Sequence, residues 1–174
     1  MRTFVASVPL FLPGMVVVAG LAILLSQLVA RSLRTSRVHG ALLLMAFGMT
    51  LMATLTPTIE ALTDSVSHSG ACDLSRMMTA ALGTLLTVNP ASLNVLLFVP
   101  LGTALGSLPR SPRSIGLTSL AFFLPLAIEL SQLAVPVLGR ECASADVVDN
   151  MLGLAIGVAL GLTGRWLLVH TRPA

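Results

Sequence analysis

The stretch GRECASADVVDN, residues 139–150, gathers Arg140, Glu141, Asp146, Asp149 and Asn150 at the mouth of a long apolar run punctuated by glycine. Upstream, Glu129 and Gln132 stand three apart in AIELSQLAVP and so share one face of a helix. Asn94 opens a further apolar segment, NVLLFVPLG. An arginine flanked by neutral amides can hold an anionic or polar head through charge-assisted hydrogen bonds, with Glu129 or Asp146 fixing the guanidinium. The same carboxyl groups suit a second chemistry, with Glu129 as general acid or base and Asp146 as its partner. Other chemistries find little support. Ser131 beside Glu129 makes no triad, His39, His68 and His170 are scattered along the chain, and neither a phosphate-cradling glycine loop nor a nucleophile elbow occurs. No metal and no other cofactor is expected.

The elements that must position these groups follow from composition. The 174 residues are 55% hydrophobic and 10% charged, include no tyrosine, and have a mean hydropathy of +0.95. That leaves too few polar groups to clothe a water-soluble domain. All ten basic residues are arginine, and most stand beside apolar runs. Their excess over seven acids therefore reads as a topology signal, and no nucleic-acid partner is expected.

Crossing hydrocarbon takes about 20 mostly apolar residues. Residues 10–30, 115–135 and 147–169 meet that length clearly. Residues 40–55 are fewer but uncharged, and 93–108 carry Pro100, whose missing N–H leaves the carbonyl of Leu96 to a neighbouring helix or a kink. The expectation is all-α: one polytopic transmembrane helical bundle over residues 1–174, with about five spans. Residues 74–90 are apolar enough for the interface but too broken for a sixth span, which leaves a surface helix, a loop or a half-span open.

Arginines near a span end stay on the cytoplasmic side. Arg31, Arg34 and Arg37 follow the first span, Arg110 and Arg113 precede the fourth, and Arg165 and Arg172 end the chain, all on one side. Glu60, Asp64, Asp73, Glu141, Asp146 and Asp149 fall on the other, with Arg2, Arg76 and Arg140 as its bases. The amino terminus is thus expected outside and the carboxyl terminus inside a bacterial plasma membrane. The first span reads as a retained helix, because it outlasts a signal core, lacks an A-x-A site and is followed by arginines that resist translocation.

With the fourth span ending near Pro136, Glu129 lies roughly 10 Å below the outer boundary at about 1.5 Å per residue. Asn94 and Asn150 reach a similar depth. A carboxylate within a span costs roughly 2.5 to 3.5 kcal/mol and calls for a partner, for which Arg140 is the nearest candidate. The neighbours also admit plainer roles: Asp146 and Asp149 as caps in the first turns of a helix, Gln132 and Asn94 as interhelical hydrogen-bonders. Gly153, Gly157 and Gly161, spaced by four, continue the stripe of Asp146 and Asn150 and suit close helix packing, with Gly102 and Gly106 as partners of the same spacing. Cys72 and Cys142 both fall in outside loops, where a disulfide is permitted. Such a bridge would hold the long outer segment as a lid over the polar layer and order Arg140 beneath it.

NVLLFVPLG, then AIELSQ, then R-x5-D-x3-N-x2-G-x3-G, in that order, resemble the VanZ-like family of small membrane proteins. The resemblance covers about residues 40–165, with an extra N-terminal span at about 10–30. Its motif positions fall on Asn94, Phe98, Pro100, Gly102, Glu129, Gln132, Arg140, Asp146, Asn150, Gly153 and Gly157. Where relatives often carry further acids between the arginine and the aspartate, this chain has Ala143 and Ala145, which removes ligands that a divalent metal would need. The resemblance implies a cell-envelope role, and its founding member is associated with resistance to the glycopeptide teicoplanin.

Two functions are open. One is noncatalytic binding of a lipid headgroup or a lipoglycopeptide-like amphiphile by Asn94, Glu129, Gln132, Arg140, Asp146 and Asn150. The other is an intramembrane enzyme acting on a lipid-linked envelope substrate through Glu129 and Asp146. Transport by about five spans without inverted repeats is disfavoured for a monomer. Membrane lipids or an amphiphilic ligand are the expected partners, and the oligomeric state is open.

Overall fold

In chain order the helices are α1 Phe11–Leu33, α2 Arg37–Leu55, α3 Ile59–Thr63, α4 Leu82–Leu85, α5 Pro90–Gly106, α6 Pro112–Ala121, α7 Leu124–Ala134 and α8 Ser144–His170, with a 3-10 turn at Pro136–Leu138. This computed structural model describes residues 8–63 and 71–171, and no strand occurs among them. Arg2, Asp64, His68 and Arg172 lie outside the described residues.

Helices α1 and α2 form a hairpin. Arg34 ends α1 in the left-handed region at φ 53°, and its N–H returns to the carbonyl of Ala30. Ser36 then starts α2, its side chain accepting the N–H of His39 at 3.1 Å. The two helices meet through a small-residue face of Ala22, Ser26 and Ala30. The opposite face of α1 is apolar and bare, with Val16 at 74% and Leu24 at 73% exposure. Hydrocarbon, rather than water, suits that surface.

Helix α5 begins at a reciprocal capping box: Asn89 Oδ1 accepts the N–H of Ser92 and Ser92 Oγ accepts the N–H of Asn89, both at 3.1 Å, with Pro90 in the first turn. It packs against α8 along a glycine seam. A Cβ on Gly157 would stand 2.8 Å from the Cα of Gly102, and side chains on Gly106, Gly153 and Gly161 would strike the main chain of Val158, Val95 and Thr103. Below the polar end, Phe98, Leu101, Ile128 and Leu154 close the core between α5, α7 and α8.

Helices α1, α2 and α8 are long and apolar enough to cross a membrane; α6 and α7 add a fourth crossing if the bent pair is one span, and α5 is a shorter apolar helix of 17 residues. The expected uninterrupted span at 115–135 is therefore corrected. Pro125 cannot donate to the carbonyl of Ala121, so the helix stops at Phe122 and restarts at Leu124 with a bend of 40°. Pro100, by contrast, sits inside a helix that runs through it unbroken. Of residues 74–90, Leu82–Leu85 form the short helix α4, Pro90 begins α5, and the rest run as loop and turn.

Candidate functional site

The carboxylate end of the bundle is organised around Cys72–Cys142, a disulfide joining residues 70 apart in sequence, with a Cα–Cα distance of 4.6 Å. Beside it Asp73 and Ala143 form an isolated parallel bridge: Asp73 N–H donates to the carbonyl of Cys142, and Ser144 N–H to that of Asp73, each at 2.8 Å. Ser144 Oγ adds a bond to the carbonyl of Arg76 at 2.8 Å. Residues 71–80 are thereby strapped over the start of α8.

The arginine that this strap carries onto α8 is its own Arg76, while Arg140, expected beneath the lid, bonds the end of α2. The guanidinium of Arg76 forms two bonds to Asp149, Nη2 to Oδ2 at 2.5 Å and Nη1 to Oδ1 at 3.2 Å. The Asp149 side chain is fully buried, while that of Arg76 keeps 34% exposure. The hydrogen-bonded carboxylate raises the pKa of Arg76 above the ordinary arginine value. The N–H of Ser75, donated to Asp73 Oδ1 at 2.8 Å, holds the exposed Asp73 carboxyl below its usual range.

Under the strap, three side chains complete helix ends. The last carbonyls of α2 lack intrahelical donors. Gln132 Nε2 donates to that of Thr54, and Arg140 Nη2 to that of Ala53, both at 2.9 Å, where the negative end of the helix dipole favours a cation. At the opposite kind of end, Glu129 Oε2 accepts the N–H of Ala143, the N-cap residue of α8, at 2.8 Å. This corrects the expected pairing of Glu129 with Arg140. The two groups interact electrostatically, but among the described residues the ion pair is Arg76–Asp149. Each finds a nearer main-chain partner because α2 ends and α8 begins beside them.

Arg140 is placed by the preceding turn. Gly139 adopts φ 63°, and a Cβ there would stand 2.5 Å from Thr58 Oγ1, so only glycine fits. The N–H of Thr58 donates to the carbonyl of Leu138 at 3.1 Å and ties α3 to the same turn. Burial lowers the pKa of Arg140 from the ordinary arginine value, opposed by Asp146 and Glu129. Asp146 is half-buried and interacts with the side chain of Asn94 at the start of α5.

The structure thus brings Glu129, Gln132, Arg140 and Asp146 into one polar layer, with Asn94 and Asn150 on its α5 and α8 sides. Within it Arg140 Nε, Asn150 Oδ1 and Thr56 Oγ1 are buried without a protein partner. Arg76 and Thr56 are the members that the sequence did not single out, and Asp149, expected as a possible cap, is instead the buried partner of Arg76. The burial of Asp149 was signalled only by its place three residues after Asp146 on a packed helix, and nothing local marks Arg76. No group of three or more His, Cys, Asp or Glu able to hold a metal ion stands among the described residues. His39 is at the other end, where its Nε2 donates to the carbonyl of Ala104 at 2.8 Å.

No curated protein and no solved structure matches the chain. A family model described as VanZ/LLP1 does, over residues 5–166, and so takes in α1 as well as the motif-bearing helices. With nearly all of the 174 residues covered, the chain belongs to the VanZ/LLP1 family.

Proposed function

We propose that this protein is a multi-pass component of the bacterial plasma membrane that serves the cell envelope by binding the polar head of a lipid or similar amphiphile in the layer beneath residues 71–80. The observation that carries this reading is the set of buried polar atoms without protein partners, Arg140 Nε, Asn150 Oδ1 and Thr56 Oγ1. A buried donor or acceptor left unpaired costs about 1 to 3 kcal/mol, so three in one layer favour a polar guest. Their chemistry describes that guest. The guanidinium N–H asks for an acceptor, the amide oxygen for a hydroxyl or amine donor, and the threonine hydroxyl takes either. A sugar- or phosphate-bearing headgroup on a lipid tail meets all three. Lipoglycopeptides belong to the same chemical class, which extends the reading to a contribution to glycopeptide resistance.

A second reading rests on Glu129 and Asp146, which lie near enough to interact electrostatically. In that reading they act as an acid–base pair on a lipid-linked envelope substrate. One experiment separates the two. Lipids retained by the purified wild type and by Arg140→Ala are inventoried by mass spectrometry. Binding predicts one class, chemically intact, that the variant loses; the enzyme predicts a converted product. Identical inventories in both proteins would remove the binding reading.

A further inference from the structure

The opposite end of the bundle carries a feature that the polar layer does not use. The helix breaks before Pro125 and bends by 40°, and Ser114 is the one buried residue of α6. Against this bent pair lies a cleft of about 830 Å³ bounded by α1, α2, α5 and the α6–α7 pair. Val29, Leu44, Phe47, Leu105, Leu117 and Leu124 are among its walls. Arg113 and Ser32 are the polar residues lining it, and they meet through Arg113 Nη1 and the carbonyl of Ser32 at 3.4 Å.

Two quantities describe the occupant. The lining runs from Arg113 to Ala127, which at about 1.5 Å per residue is roughly 20 Å of helix, the reach of a fatty acyl chain within a hydrocarbon core about 30 Å thick. The volume is that of a ligand pocket rather than a packing defect. The charge around the mouth is one-sided. Arg31, Arg34, Arg110 and Arg113 are exposed at this end, whereas every carboxylate among the described residues, Glu60, Asp73, Glu129, Glu141, Asp146 and Asp149, belongs to the other. Arg113 and Arg165 bond neutral carbonyls here, those of Ser32 and Leu108. A second copy of the chain docked symmetrically on this face would bring like arginine rims together, which disfavours it as the occupant.

We infer that the cleft is a binding groove for an anionic glycerophospholipid of the leaflet on the arginine side, with one acyl chain along the apolar walls and the phosphate at the mouth against Arg113. The groove is separate from the polar layer and does not depend on how that layer functions. Arginine suits the phosphate because its planar fork presents paired donors.

The test is native mass spectrometry of the full chain in a non-ionic detergent with equimolar phosphatidylglycerol and diacylglycerol of the same acyl chains, which lacks the phosphate. The wild type should retain phosphatidylglycerol about tenfold over diacylglycerol, as one charge-assisted contact implies. Arg113→Gln should bring that ratio close to unity. Gly116 lines the cleft, and a Cβ there meets nothing within 4 Å, so a side chain can start there unopposed, and Gly116→Leu and Gly116→Trp are the variants chosen to fill the groove. Both should elute as the wild type does on size exclusion and lose bound lipid, the tryptophan variant more. Equal retention of the two lipids by the wild type, a ratio unmoved by Arg113→Gln, or full retention in the filled variants would overturn the inference. So would displacement of phosphatidylglycerol by an equimolar polyprenyl phosphate, which would assign the groove to a different lipid.

Discussion

Arg76 and Asp149 are 73 residues apart in the chain, yet the guanidinium of one grips the fully buried carboxylate of the other with two hydrogen bonds. The contact exists because the disulfide and the Asp73–Ala143 bridge hold residues 71–80 across the start of α8. The strap and the helix are thus coupled electrostatically as well as covalently.

Removing the arginine strands a buried charge. Arg76→Ala should destabilise the protein by about 3 kcal/mol, the lower end for a broken buried pair because the arginine is partly exposed. Asp149→Asn added to it should recover part of that loss. Thermal melts of the four proteins in one detergent check the cycle, and strict additivity would mean that the pair does not form. The same cycle on Glu129→Ala and Arg140→Ala should show weaker coupling, since those side chains bond different helix ends.

The disulfide should leave no reactive thiol. Non-reduced, denatured protein should take up no maleimide label, and reduced protein should take up two per chain, one at Cys72 and one at Cys142. Closing a loop of 70 residues is worth about 4 kcal/mol in the chain-entropy model, and less where the membrane already confines the unfolded chain. Reduction should accordingly lower the melting temperature and expose residues 71–80 to protease first.

The glycine seam offers a comparison with its own control. Gly157→Leu and Gly153→Leu place side chains into the main chain of α5 and should abolish the monodisperse size-exclusion peak. Gly20→Ala and Gly164→Ala, where a Cβ meets nothing within 4 Å, should keep it. A peak retained by the first pair would show that α5 and α8 do not pack as closely as described.

Topology is open to a reporter that is active only in the cytoplasm. Fused after Pro173 it should work, and inserted near Ser67 it should fail, because Arg31, Arg34, Arg37, Arg110, Arg113 and Arg165 mark one side of the bundle. Activity at both sites would contradict the orientation.

Local chemistry wrote much of this protein into its sequence. Apolar runs longer than a bilayer needs become helices, because inside hydrocarbon each backbone group must bond within its own segment. The fourfold spacing of Gly153, Gly157 and Gly161 marks a packing stripe from the helical repeat alone, and two cysteines placed on one side of a membrane leave a single pairing within the chain. The ordered motif around Asn94, Glu129 and Arg140 was enough to identify the family. Which groups meet across the bundle was not legible, because that depends on where elements distant in sequence stop. Glu129 takes the N–H of Ala143 because α8 starts there, and Arg140 takes the carbonyl of Ala53 because α2 ends there. Both side chains satisfy the nearest orphan backbone group before they reach each other. Pro100 and Pro125 look alike on paper, yet the helix continues through the first and breaks before the second. The cleft beside Arg113, which lies against that broken pair, is a volume that no residue spacing encodes because residues of five helices, α1, α2, α5, α6 and α7, line it.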